Sequence, residues 1–306
     1  MDNQNINIYE NYYIYDDSIP YITETAKKNI EIIKQQINEI QLTQSDINEE
    51  TQIQLNKLQK EIEKQIFYIN PVTMKDYMRF FTCVNCISIE KNKIPDPKII
   101  SMSYLDFLFH LIDNDSNGVY YSVLLCDLLN LCCGVTNDNI KYIRDENNKV
   151  ILILGVEQED ESIFEQILNK NDFDEIKNII LHQNMPNYDD TYIDPKIEKA
   201  LRETEEFMNK HKKKIGSLED QIICVLISTP LNLEQIKNLT VRKFSKILQR
   251  VDYKMHYEIY KTASMSGLVS FKEEIDHWMS DISIDKFANK MVDFNQLKNK
   301  IQSKAN

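Results

Sequence analysis

The chain has 306 residues, 42% of them hydrophobic, which is enough for a buried core and too apolar for a disordered protein. A formal net charge of −12, with an isoelectric point near 5.0, disfavours a nucleic-acid backbone or an anionic membrane and leaves other proteins as the expected partners. With only 5 glycines and 7 prolines the chain has few sites for tight turns, so the expected class is mainly α: helical bundles with one small β-hairpin in the central region.

The chain opens with "MDNQNINIYENYYIYDD", polar and acidic, without the basic-then-apolar run of a secretory signal. The expectation is a cytoplasmic protein whose 6 cysteines stay thiols unless they hold a metal. Ile22, Ala26, Ile30, Ile33, Ile37 and Ile40 then recur at steps of four and three, and Leu55, Leu58, Ile62, Ile66 and Ile69 do the same beyond the polar "LTQSDINEE". This predicts an antiparallel, coiled-coil-like helical hairpin over 21–68, completing a first domain at 1–70.

A central domain, 71–190, is richer in apolar and aromatic residues. "INPVTMKDYMRFFTCVNCISIEK" reads as an amphipathic helix stopped by Pro95 and Pro97. Ser103 and Asp106 form a capping box for a helix to Ile112, and a buried helix follows over 120–133. The longest apolar stretch, "YSVLLCDLLNLCCGV", is interrupted by Asp127 and Asn130 and is too short to span a bilayer. "IKYIRDENNKVILIL" predicts the hairpin, with flanks 140–143 and 150–154 around "DENN". Segments 162–171 and 172–182 read as helices, the second with Phe173, Ile176, Ile179 and Ile180 on one face.

The C-terminal helical domain, 191–306, begins after the linker "MPNYDDTYIDP". Asp194 and Pro195 start a helix that ends in "NKHKKKIG", with Gly216 as its C-cap. Ser217 and Asp220 cap the next helix, a short one follows Pro230, and Thr240 caps a long one to Lys261. The long helix carries the stripe Val241, Phe244, Leu248, Val251, Met255, Ile259, and two amphipathic pieces end the chain.

Signals for chemistry are few. "DNDSNGVYYSVL" opens like a calcium loop, with Asp113, Asp115 and Asn117 at positions 1, 3 and 5 and Gly118 at position 6. Position 12, which should supply a bidentate glutamate, is Leu124, and position 8 is Tyr120. The favoured reading is a polar helix connection in which Gly118 takes a positive φ and Asp113 or Ser116 caps the next helix. Cys83 and Cys86 form a C-x-x-C pair, and a zinc site would need Cys132 or Cys133, or Cys126, His110 or His182, none at knuckle spacing. Buried free thiols are the simpler reading, so no metal and no cofactor is expected.

The five histidines are scattered, and no hydrolase, phosphate-binding or dinucleotide motif is present, which predicts a non-enzymatic protein. The "KHKKK" run suits a helix C-terminus, and the helix-turn-helix outline in "PLNLEQIKNLTVRKFSKIL" has too few basic residues for DNA. For protein contacts the candidates are Ile30, Ile37 and Leu58 on the hairpin, and Ser264, Met265, Gly267, Trp278 and Met279 around the break of the long helix.

Three segments together carry a family resemblance: "NPVTMKDYMRFFTCVNCISIEKNKIPDPKIISMSYLDFL", "YDDTYIDPKIEKALRETEEFMNKHKKKIGSLEDQI" and "LTVRKFSKILQRVDYKMHYEIYKTASMSGLVSFKEEIDHWMSDI". They resemble tail and baseplate module proteins of large phages of Gram-positive bacteria and of related phage-tail-like particles, over about residues 70–285. The resemblance implies assembly, as a baseplate component or as a tail assembly chaperone, with other tail or baseplate proteins or a second copy as partners. It supplies no catalytic residue. It places the chain in the host cytoplasm during assembly, or in the virion. Alternatives of another class are a zinc-binding or a nucleic-acid-binding regulatory module.

Overall fold

A computed structural model of the chain describes residues 6–43, 49–91, 94, 96–147, 149–158, 162–185, 188, 216–267, 271 and 274–280. The chain packs as two units, 1–247 and 248–306. Among the described residues there are eleven α-helices and two small antiparallel sheets, one of two strands and one of three. The protein is therefore mainly α, with more β structure than the single hairpin expected. Most of the predicted linker, and the helix from Asp194 to the "KHKKK" run, lie outside the described residues, as does the chain beyond Ser280.

The first residues form a helix, α1 (Ile6–Tyr15), with Tyr13 buried. The two apolar stripes then give a helical pair, α2 (Glu24–Thr43) and α3 (Glu49–Lys64). Ala26, Ile30 and Ile33 are buried, whereas Ile37, Ile40, Leu55, Leu58 and Ile62 are half-buried. The pair is thus seated on the core at its base rather than sealed along its length. Two short strands, β1 (Ile19–Tyr21) and β2 (Phe67–Ile69), close that base, with Ile19 opposite Ile69 and Tyr21 opposite Phe67. Alternation sends these four side chains inward, and Pro20, which has no N–H to give a ladder, is tolerated in a two-stranded sheet.

The core of the first unit is built on three helices, α6 (Tyr104–Asn114), α7 (Gly118–Cys133) and α8 (Lys170–Asn184). Before them the predicted long helix at 69–91 is broken into α4 (Tyr77–Cys83) between two 3₁₀ turns, and α5 (Pro97–Ser101) follows. Helix α7 packs on α4, α6 and β2, burying Leu124, Leu125, Leu128, Leu129, Cys132 and Cys133. It stops at Gly134, whose φ of 68° lets its N–H reach the Asn130 carbonyl at 3.0 Å. Ser103 accepts from the Asp106 N–H at 3.1 Å, as the capping box requires. The Asp106 carboxylate does not return to the Ser103 backbone: it takes the Ser103 hydroxyl at 2.7 Å and the Val150 N–H at 3.1 Å, tying α6 to the sheet.

The three-stranded sheet runs in the order β3 (Ile140–Arg144), β4 (Val150–Glu157), β5 (Ile163–Leu168). Strand β5 occupies most of the segment read as a helix at 162–171. The correction has a visible cause: in "IFEQIL" the residues Gln166 and Leu168 are buried and Ile163, Glu165 and Ile167 are exposed, the period of a strand.

Downstream, α9 (Leu218–Ser228) starts at a full Ser217–Asp220 capping box and α10 (Leu233–Asn238) at an Asn232–Gln235 one. The last helix, α11 (Val241–Met265), is capped by the Thr240 hydroxyl, which accepts from the Lys243 N–H at 3.1 Å. Its start is fixed by backbone bonds from Met74 N–H to the Leu239 carbonyl and from Val241 N–H to the Val72 carbonyl, each 2.8 Å.

The turn between α6 and α7 is also corrected. Gly118 does not have a positive φ; among the described residues the only glycines that do are Gly134 and Gly267. A Cβ at Gly118 would lie 2.0 Å from the Ile112 carbonyl oxygen, so the position needs hydrogen because the two helices approach closely. The N-cap of α7 is Asn117, without a side-chain cap bond; the local bond is made by the Asp115 carboxylate, which accepts from the Asn117 N–H at 2.8 Å. Gly118→Ala should lower stability by about 1–3 kcal/mol through overpacking, measured by urea unfolding. An unchanged midpoint would show that the close approach is not required.

Candidate interaction surfaces

Two solvent-facing surfaces stand out, one in each unit, together with two polar or thiol clusters that the sequence singles out. The first is the outer face of the three-stranded sheet. Its inner face, Val150, Leu152, Leu154 and Leu168, is buried, with the Tyr142 ring 4.6 Å from Phe109. On the outer face the register aligns Ile143 with Ile151, and Lys141 with Ile153 and then Ile167. Ile143 is 51% exposed, Ile163 54% and Ile167 39%, while Ile151 and Ile153 are half-buried. Ile163 lies over Gly155, where a Cβ would come within 2.7 Å of its Cγ2. The one ion pair among the described residues of this face is Lys141 with Glu165 at 3.5 Å. Five isoleucines on one face of a small sheet are a surface that burial against another protein would stabilise.

Reading 162–171 as a helix hides this face at the level of sequence. The alternation of Ile163, Glu165 and Ile167 is the signal that marks it.

The second surface is a groove of about 530 Å³ within the 248–306 unit. Tyr253, His256, Tyr257 and Tyr260 on α11 form one wall, and Phe271, Glu274, Ile275 and Asp276 the other. Tyr260 packs on Phe271 with centroids 5.5 Å apart, and Tyr257 meets His277 edge-to-face at 5.2 Å. The returning segment is held by Arg250, whose Nη1 donates to the Trp278 carbonyl at 2.7 Å and the Ser280 carbonyl at 2.8 Å. The helix ends at Met265, and Gly267, with φ 72°, follows in the left-handed region.

The predicted contact residues fall in different environments. Ile30 is in the core, and Ile37 and Leu58 are half-buried on the helical pair. Ser264, Met265 and Gly267 are exposed, Trp278 is half-buried beside His277, and Met279 is exposed. The groove-lining tyrosines lie apart from the stripe named from sequence. Of that stripe, Val241 and Phe244 are buried but Met255 and Ile259 are exposed.

Burial raises the Cys83, Cys86 and Cys132 thiols, with smaller electrostatic contributions from Cys83 at Cys86 and from Cys133, Cys83 and Cys86 at Cys132. Burial pushes the Cys83 thiol up to about 11 and Cys133 to about 12, so these sulfurs stay protonated and poorly reactive. Among the described residues no group of three His, Cys, Asp or Glu could hold a metal ion. In the calcium-like loop Asp113 pairs with Arg144, Asp115 serves the turn, and Leu124 is buried in α7. A polar cleft of about 550 Å³ beside it is lined by Asp106, His110, Asp113, Arg144 and Lys149, charges of both signs.

Comparison with known families gives a match of residues 209–283 to a family model for the YomV second domain, a phage-related family, which hints at a phage origin. The matched region contains the whole of the aromatic groove. No curated protein and no solved structure matches the chain. No described helix is long and apolar enough to cross a membrane.

Two measurements check the cluster readings. A thiol reagent such as Ellman's should react quickly with the exposed Cys224 and more slowly with the half-buried Cys126, leaving the four buried cysteines until the protein unfolds. Rapid titration of Cys83 and Cys86 in the native state would contradict their burial. Millimolar calcium should leave the thermal midpoint unchanged, and an upward shift would make the 113–118 loop a site after all.

Proposed function

We propose that this chain is a non-enzymatic protein of a phage tail or baseplate, a structural component or an assembly chaperone, acting through protein contacts. The observation that carries the reading is the isoleucine face of the β3–β4–β5 sheet, exposed on a chain with net charge −12. Large apolar patches on otherwise charged proteins mark contact sites. The family match supports a phage setting, and the resemblance of the three long segments to tail and baseplate proteins supports the module. The partners on this reading are other tail or baseplate proteins, and the place of action is the host cytoplasm during assembly, or the particle itself.

The isoleucine face gives the test. Ile143→Asp with Ile167→Asp changes two exposed side chains, and surface substitutions of this kind shift stability by about 0.5 kcal/mol or less. The double variant should fold with an unchanged circular dichroism melt and lose at least tenfold in the yield of assembled tails. A wild-type yield of particles would overturn the reading. Mass spectrometry of purified particles divides the two roles: presence in mature particles identifies a structural component, and absence with the gene still required identifies a chaperone.

A further inference from the structure

The aromatic groove differs in chemistry from the isoleucine face. It is lined by Tyr253, Tyr257, Tyr260 and Phe271, aromatic rings whose faces carry negative quadrupole potential, and by the acidic residues Glu274 and Asp276. Three neighbouring basic side chains on α11 are already engaged. Lys254 lies 3.9 Å from Glu258, His256 lies 3.5 Å from Asp252, and Arg250 is held by two carbonyls. Among the described residues neither Glu274 nor Asp276 has an ion pair. Rings and carboxylates around one opening make a site complementary to an organic cation with an apolar stem.

We propose that this groove takes an arginine side chain, with its flanking backbone, from a partner protein. The planar guanidinium stacks on tyrosine faces and donates two parallel hydrogen bonds to a carboxylate, which a compact ammonium cannot match. The volume of about 530 Å³ admits the side chain and a short stretch of peptide, not a folded domain. The inference rests on the reading that the chain works through protein contacts, and it names the chemistry of one partner. Charge complementarity selects this occupant: an acidic groove on an acidic chain attracts a basic segment and repels an acidic one.

Trp278 is the only tryptophan in the protein and packs 5.7 Å from His277, whose ring meets the groove residue Tyr257, so its fluorescence is coupled to the groove. The full chain is titrated with acetylated, amidated tri-arginine and, separately, with tri-glutamate. Tri-arginine should change Trp278 emission saturably, with affinity falling as salt rises, and tri-glutamate should not. In Glu274→Gln with Asp276→Asn the affinity should fall at least tenfold, while Glu234→Gln, an exposed acid on α10, leaves it within twofold. No saturable change, equal binding of tri-glutamate, or undiminished affinity in the double variant would each overturn the proposal. So would sedimentation showing a dimer that the double variant dissolves, because the occupant would then be a second copy. Failure here leaves the particle-yield test of the isoleucine face standing, and failure there leaves this titration interpretable.

Discussion

Asp172 sits inside the chain, only 1% exposed, and its carboxylate joins the start of its own helix to residues 21–24, far away in sequence. It accepts from the Glu24 N–H at 2.9 Å, the Tyr21 hydroxyl at 3.2 Å and the Asn169 N–H at 3.1 Å. The first two fix the end of β1 and the start of α2, and the third closes the capping box of α8. A buried carboxylate without such partners would be strongly destabilising. Burial raises its pKa, and the hydrogen bonds and the positive end of the α8 dipole work the other way. Glu175 extends the node by accepting from the hydroxyls of Tyr9 and Tyr21, each at 3.1 Å, so α1 is tied to the same helix. The helical pair, the two-stranded sheet and α8 therefore share one polar anchor inside an apolar core.

That anchoring matters for the surface. With β5 leading through Asn169 into α8, the edge of the sheet is positioned by the same residues that satisfy Asp172. Gln166, buried on β5, donates to the carbonyls of Lys64 and Gln65 at 3.2 and 3.1 Å, which joins the strand to the base of the helical pair. The inner face of the sheet is thus committed to the core, and strand geometry obliges the alternate residues, Ile163 and Ile167, to face outward. Their exposure is set by the register, and a one-residue slip would bury them and expose Leu168.

The features legible in the sequence and those hidden from it divide by range. Ser103, Ser217 and Thr240 were legible as caps because a cap is a matter of three or four consecutive residues, and α8 was legible from its apolar period. Strand β5 was not, because a six-residue strand is defined by its pairing with β4 more than by its own composition. Strands β1 and β2 are three residues each and become a sheet only when α2 and α3 return the chain to its starting point. Gly118 looked like a turn glycine, and only the approach of Ile112 shows what it permits. At the groove, Trp278 and Met279 were marked by residue type, whereas the wall of Tyr253, Tyr257 and Tyr260 needed the returning segment to define it. The carboxylate network of Asp172 left no sequence signal beyond a helix cap.

The surfaces proposed for contact can be located without mutating them, by hydrogen–deuterium exchange on the full chain, alone and with tail and baseplate proteins from the same particle. Partners that dock as proposed should slow exchange in β3 and β5, at 140–144 and 163–168, and around the groove at 253–260 and 271–280. Exchange in α7, already buried on most of its surface, should not change. Protection confined to other segments, or no change at any amide in the presence of saturating partners, would contradict the assignment of these faces to assembly.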